Sequence, residues 1–234
     1  MSRPKLIIFA SGKRSGGGAG FENLVHATRL RPGSVEASLD ADIVAAVSNH
    51  ERGGIHERAM QLDIPFIYFP GPYDAEHYAS VLLALRSLGE GGQKTAIAGS
   101  ELWVALSGWL KHVSGLDPAK TFNIHPALLS QLDGRFGGKG MYGSRIHEAV
   151  KKALDAGETT ETGFTMHFVT EEHDRGPAFF EQRVPLKQGM TAEEIGKAVN
   201  AAEHKWQPKI TNMVVQGQIR WDGKNPESLV IPKS

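Results

Sequence analysis

The run Asn123-Ile124-His125-Pro126 sets a carboxamide and an imidazole two residues apart. Residues at that spacing in a strand point to the same side, so Asn123 and His125 are presented together. Pro126 favours extended geometry at His125 and ends the strand there. Both groups then stand at a carboxyl strand end, where open α/β sheets bind their ligands. A second cluster, Glu171-Glu172-His173-Asp174-Arg175-Gly176-Pro177, lies between two strand-like segments. If those strands neighbour the first, one of its carboxylates returns beside the imidazole. A carboxylate in that position stabilises the imidazolium and makes it a usable acid near neutrality.

A third candidate is the Gly- and Ser-rich stretch 11–20, set between an apolar strand-like run and a helix-like run. Glycines there let backbone N–H groups approach an anion, and the helix N-terminus favours negative charge. Lys13 and Arg14 add positive charge. The stretch is neither a Walker A loop nor a G-x-G-x-x-G fingerprint, since Gly16, Gly18 and Phe21 break that spacing. Its position predicts phosphate binding. No metal is expected, because His147-Glu148 lacks the second histidine of H-E-x-x-H and no other ligand spacing stands out.

The elements that must position these groups are legible in outline. Residues 5–10 (KLIIFA), 42–48 and 102–107 are apolar runs without polar alternation, as parallel strands buried on both faces require. Residues 65–69 give a further short strand. Helices are expected at 21–30, 55–62 and from an Asp74 cap to about Leu88. This β-α-β-α-β-α-β order argues for a Rossmann-like open, mostly parallel sheet with helices on both faces. In the second half, 121–125 is a strand, 130–143 a long glycine-rich loop, and Ser144 is expected to cap a helix to about Asp155. Strands follow at 163–170 and 178–184. Thr191 and Glu194 form a capping box for a helix running to about Val215. The last residues read as a strand or ordered tail.

Composition narrows the function classes. The chain has 234 residues, 40% hydrophobic and 22% charged, enough for a substantial core. Lys+Arg and Asp+Glu are both 26, so the net charge is zero and nucleic-acid binding loses support. Cysteine is absent, which excludes a disulfide scaffold, a thiolate zinc site and a cysteine nucleophile. No apolar run approaches a membrane span or a signal-peptide core, so a cytoplasmic location is expected.

Taken together, Phe122-Asn-Ile-His-Pro-Ala-Leu-Leu129, Leu106-Ser-Gly-Trp-Leu-Lys111 and the segment from Thr162 through His167-Phe-Val-Thr to Asp174-Arg-Gly-Pro177 resemble the folate-dependent formyltransferases. Glu203-His204 fits the same pattern. The joint occurrence of N-I-H-P and H-F-V-T-x-x-x-D-x-G-P about 50 residues apart is more specific than either half. The resemblance extends from Lys5 to about Ile231. It implies a single formyltransferase domain with a phosphate-binding half (1–110), a folate and catalytic half (111–215) and a C-terminal tail (216–234). The implied reaction moves a formyl group from 10-formyltetrahydrofolate to the primary amine of glycinamide ribonucleotide, in purine biosynthesis, without a metal, on a monomer or homodimer.

By motif, the resemblance makes Asn123, His125 and Asp174 the catalytic residues. Asn123 and a protonated His125 would stabilise the oxyanion, while Asp174 would hold the His125 cation or pass a proton through water. Trp109, Leu110, Lys111 and Val113 would line the folate pocket, with Val169, Thr170 and His173 closing over the pterin. Ser11, Gly12, Gly18, Gly20 and Gly108 would hold the phosphate side of the second substrate, and Asn200 and Glu203 its sugar or amine portion. The chain departs from the family pattern in a longer first glycine loop, in Leu129-Ser130 for Leu-Pro, in the longer 133–143 run, and in Asn200 for a frequent Gln. His147 stands near a histidine often found in the family. Related readings are transfer to an amino-sugar nucleotide and a noncatalytic folate-binding relative. Residues 216–234 are too few for the added tRNA-binding domain of a methionyl-tRNA formyltransferase. The regulatory domain usual before a formyltetrahydrofolate hydrolase is not expected either.

Overall fold

The computed structural model describes residues 3–12, 17–29, 38–88 and 102–233. Lys13, Arg14 and Gly16 of the first glycine stretch lie outside the described residues, as does Leu30. The chain runs β1 (Lys5–Phe9), α1 (Ala19–Ala27), β2 (Asp42–Ser48), α2 (Gly54–Leu62), β3 (Phe66–Tyr68), α3 (Ala75–Leu88), β4 (Leu102–Ser107) and β5 (Thr121–His125). It continues with α4 (Ser144–Asp155), β6 (Glu161–Phe168), β7 (Ala178–Pro185) and α5 (Ala192–Val215).

The strands form one sheet in the order β3-β2-β1-β4-β5-β6-β7. The first five are parallel, while β6 and β7 each run antiparallel to the strand before them. The chain order reverses at β1, as in doubly wound sheets. Apolar residues alternate between two cores. Leu6, Ile8, Trp103, Ala105, Phe122 and Ile124 face the layer that holds α1, α2 and α5. Ile7, Phe9, Val104 and Leu106 face α3, through Tyr78, Val81 and Leu85. A smaller core joins α4 to Ala127, Phe136 and Ile195. Asn123 and His125 belong to the α3 side of the sheet, because their neighbours Phe122 and Ile124 face the other layer. Over β5 and β6 that face is covered by the 130–143 and 169–177 segments, not by α3. No described helix is long and apolar enough to cross a membrane.

Several expected boundaries move. α1 starts at Ala19, not Phe21, because Gly18 takes φ 82 and turns the chain straight into the helix. Gly20 therefore belongs to the first turn of α1. Ser144 is the first residue of α4 and caps nothing; Gly143, at φ 55, precedes it without a side-chain cap. Asp74 does cap α3, its Oδ1 accepting from the His77 amide at 2.9 Å. The Thr191–Glu194 capping box is complete. β6 covers residues 161–168, two earlier at each end than the alternation suggests; its partner β7 extends pairing to Glu161, and Val169 adds one last ladder bond to the Thr121 carbonyl at 2.9 Å.

The return from β6 to β7 requires glycine at position 176, where a Cβ would fall inside the contact distance of the Phe168 carbonyl. The atom in the way is backbone, held in the strand, and has little room to yield. Gly176→Ala is expected to cost about 1–3 kcal/mol, read as a thermal midpoint lower by roughly 2–4 °C per kcal/mol. An unchanged midpoint would show that this approach is not constrained.

Candidate active site

β5 delivers Asn123 and His125 to one face, and the antiparallel register sets Asn123 opposite His167. Side chains opposite each other in an antiparallel pair share a face, so His167 joins the group. Nδ1 of His167 lies 2.9 Å from the Phe168 carbonyl, which can only accept, so Nδ1 carries the proton. Nε2 is then an acceptor and takes a hydrogen bond from Asn123 Nδ2 at 3.2 Å. The second amide hydrogen of Asn123 points to Asp174 Oδ1 at a longer 3.4 Å.

Asp174 reaches this face from the 169–177 loop, with its backbone in the left-handed region at φ 54, a conformation Asp and Asn tolerate better than most. Its Oδ2 accepts from the Gly138 amide at 2.9 Å and lies 3.6 Å from His125 Nδ1. Its Oδ1 lies 3.6 Å from His167 Nε2. Burial raises the Asp174 pKa, but the adjacent His167 and His125 rings and the Gly138 amide outweigh it and bring it to about 2. Asp174 is a carboxylate at every working pH.

His125 is buried and donates from Nε2 to the Phe136 carbonyl at 2.7 Å. Burial pushes its pKa below the ordinary histidine value, against the pull of Asp174 and Phe136. Desolvation therefore disfavours the imidazolium more than the carboxylate supports it, against the direction expected from Asp174 alone. With Nε2 committed, Nδ1 is the nitrogen left for chemistry.

These groups open onto a cleft between the segment after β4 and the 169–177 loop. Trp109, Leu110, Lys111, Val113, Val169, Thr170 and His173 all line it. Trp109 packs edge-on against Phe9 and Tyr73 and stacks on Phe69, which fixes its ring. A second cavity is lined by Gly12, Gly18, Gly20, Gly108, Asn200 and Glu203. The two cavities share Gly108, Leu110, Ile124, Pro126 and Gly143. Burial pushes the Glu203 carboxyl up to about 7, only partly opposed by the Asn200 amide 3.4 Å away. His147 lines the same cavity.

One expected residue is not brought there. Ser11 is buried and its hydroxyl accepts from the Leu110 amide at 2.9 Å, so it ties the β1 loop to the β4 loop and does not line the cavity. The sequence reading also missed members of the site. His167 sat inside the quoted motif, but only the β5–β6 register reveals its partner. The Gly138 amide and the Phe136 carbonyl carry no side-chain signal. Gln207, buried and donating to Ser107 Oγ at 3.0 Å, lies one helical turn beyond Glu203. Among the described residues, no three His, Asp or Glu side chains are grouped as a metal site.

The formyl transferase family profile matches residues 5–211, which include both cavities. The chain belongs to the formyl transferase family. It is 32% identical over 227 residues to the chloroplastic phosphoribosylglycinamide formyltransferase of Arabidopsis thaliana, an alignment covering 94% of this chain and 68% of that protein. Identity to the phosphoribosylglycinamide formyltransferase of Bacillus subtilis is 28% over 218 residues, 90% of this chain and 94% of that one. A crystal structure of phosphoribosylglycinamide formyltransferase from Anaplasma phagocytophilum superposes with TM-score 0.68 at 26% identity, covering 93% of this chain and 89% of the other. The family's fold is thus present over most of the chain.

Asp174 gives a test through acid stability. Its folded pKa lies below the ordinary carboxyl value of 3.8, so the stabilisation is present above that value and is lost as the pH falls towards 2. The shift corresponds to about 2 kcal/mol at neutral pH. Asp174→Asn, which suits the left-handed backbone, is expected to flatten the fall in unfolding free energy between about pH 4 and 2. Urea titrations at several pH values check this; equal slopes for both proteins would contradict the assigned environment.

Proposed function

We propose that the chain transfers the formyl group of 10-formyltetrahydrofolate to the primary amine of 5′-phosphoribosylglycinamide, a step of purine biosynthesis. The observation that carries the reading is the convergence of Asn123, His125 and Asp174 at the mouth of a cleft that shares one wall with a glycine-lined cavity. The names of the relatives from Arabidopsis and Bacillus support the amine substrate. Relatives named trifunctional purine biosynthetic protein support the pathway.

In this reading the folate lies in the first cleft, between Trp109–Val113 and Val169–His173. The phosphate of the amine substrate lies against Gly12, Gly18 and Gly20, where the first turn of α1 offers free amides. Asn200 and Glu203 face its sugar or amine portion. Residues 1–110 are then the phosphate half and 111–215 the folate and catalytic half, with α5 reaching back to the first.

The amine nitrogen attacks the formyl carbon, and charge grows on the formyl oxygen. Asn123 donates to that oxygen with the hydrogen now spent on the long contact to Asp174, while His167 keeps the other hydrogen and fixes the amide plane. His125 Nδ1, neutral at rest, takes the proton from the amine. The imidazolium so formed is stabilised by Asp174 and returns the proton to the folate nitrogen as the carbon–nitrogen bond to folate breaks. One bond forms, one breaks, and the proton moves from amine to folate. No covalent link to the protein is needed.

Formyl transfer followed with glycinamide ribonucleotide, against an amino-sugar nucleotide as alternative acceptor, tests the reading. Asn123→Ala is expected to lower kcat by about 10²–10³-fold, the effect of losing one oxyanion donor. His125→Ala and Asp174→Asn should fall at least as far, with thermal unfolding still cooperative. Full turnover by His125→Ala combined with Asp174→Asn would remove the proposed site. Turnover with the amino-sugar nucleotide alone would replace the acceptor.

The pH profile follows from the same scheme. The amine attacks only when uncharged, and α-amino groups titrate near 7.7–8.0. Rates under kcat/KM conditions should rise through about pH 8, and chelators should leave them unchanged. A profile falling over that interval would contradict amine attack.

A further inference from the structure

The 169–177 loop must hold Asp174 in a left-handed conformation while residues 171–173 are exposed. Inside the loop, the Thr170 hydroxyl and the Arg175 amide both donate to the Glu172 carbonyl, at 3.1 and 3.3 Å. Those bonds close a turn but do not fix it relative to the sheet. Gly138 fixes one end, at the Asp174 carboxylate. The other end is met by His112, a residue from the segment after β4 that forms the opposite wall of the cleft. Its Nε2 donates to the Glu171 carbonyl at 3.1 Å. Its ring stacks on His173 with centroids 5.3 Å apart and planes 29° apart. One side chain thus grips the loop at two points, three residues before Asp174 and immediately before it.

We infer that His112 is a positioning residue, a latch across the cleft mouth that holds Asp174 over Asn123 and His125. The inference rests on the proposed role of Asp174. The stack and the hydrogen bond act in different directions. The bond limits sliding of the loop along the cleft, and the stack limits lifting of His173 away from it. Releasing both lets the carboxylate wander from its neighbours, and a displacement of about 1 Å at a reacting group can cost on the order of 10²-fold in rate. His112 itself touches none of the catalytic side chains, so its effect passes through the loop.

The test uses the full chain and three variants. His112→Ala removes ring and donor, His112→Phe keeps the ring, and His112→Gln keeps an amide donor. Amide hydrogen exchange across residues 171–175, where the Arg175 amide is bonded to the Glu172 carbonyl, is measured beside kcat and both KM values. For His112→Ala, exchange in that stretch should quicken about tenfold and kcat fall about tenfold or more. KM for the amine substrate should stay within about twofold, and the thermal midpoint should be nearly unchanged. His112→Phe and His112→Gln should each restore part of the protection.

Unchanged exchange in His112→Ala overturns the latch, and so does a wild-type kcat despite faster exchange. A loss confined to KM for the folate makes His112 a direct ligand contact and overturns it too. Asp174→Asn is assayed alongside. If that variant turns over normally, the reading of the site has failed, and the exchange data still judge the latch on their own.

Discussion

The arrangement depends on one buried carboxylate. Asp174 sits within reach of two histidines, a carboxamide and a backbone amide, drawn from β5, β6 and the 130–143 segment. A carboxylate out of water is costly unless it is paired or hydrogen-bonded, and here each oxygen has two polar neighbours. Those neighbours fix more than its charge. Asn123 is oriented between His167 and Asp174, His167 is fixed by the Phe168 carbonyl, and His125 is fixed by the Phe136 carbonyl. The donors that face the cleft are therefore set in place before any ligand arrives, which is the condition under which they act most strongly on developing charge.

A second constraint is the partition between the two cavities. Gly108, Leu110, Ile124, Pro126 and Gly143 form a wall common to both. Gly108, in the left-handed region at φ 74, turns the chain at this border as glycine does most readily. The different character of the cavities suits different partners. One carries an ordered aromatic wall through Trp109, and the other a glycine-lined helix start and the uncharged-leaning Glu203. A carboxyl held near neutrality can accept or donate a hydrogen bond, a useful property beside a polar substrate.

Much of this was legible from particular residues. The N-I-H-P run located β5, the direction of its two polar side chains and the end of the strand. The Thr191–Glu194 pair located the start of α5, whereas Asn200 and Glu203 on that helix were singled out only by the family resemblance. Ser11 was misread because a serine beside glycines looks the same whether its hydroxyl serves a ligand or a neighbouring loop. Ser144 was misread as a cap because a positive-φ glycine before a helix leaves no room for inspection by residue type. His167 was overlooked because an imidazole in an alternating strand is indistinguishable from a structural one until its cross-strand partner is known.

The sequence by itself determined the strand and helix periodicities, the polar pair on β5 and the segment that carries Asp174, since those are local properties of spacing and turn chemistry. Tertiary structure decided which oxygen meets which nitrogen. Register between β5 and β6, the fold-back of the 169–177 loop and the amide of Gly138 are set by packing across more than 30 residues of chain. Burial is likewise a property of the assembled fold, and it is burial that lowers the His125 pKa while the Asp174 carboxyl is also held low by its neighbours.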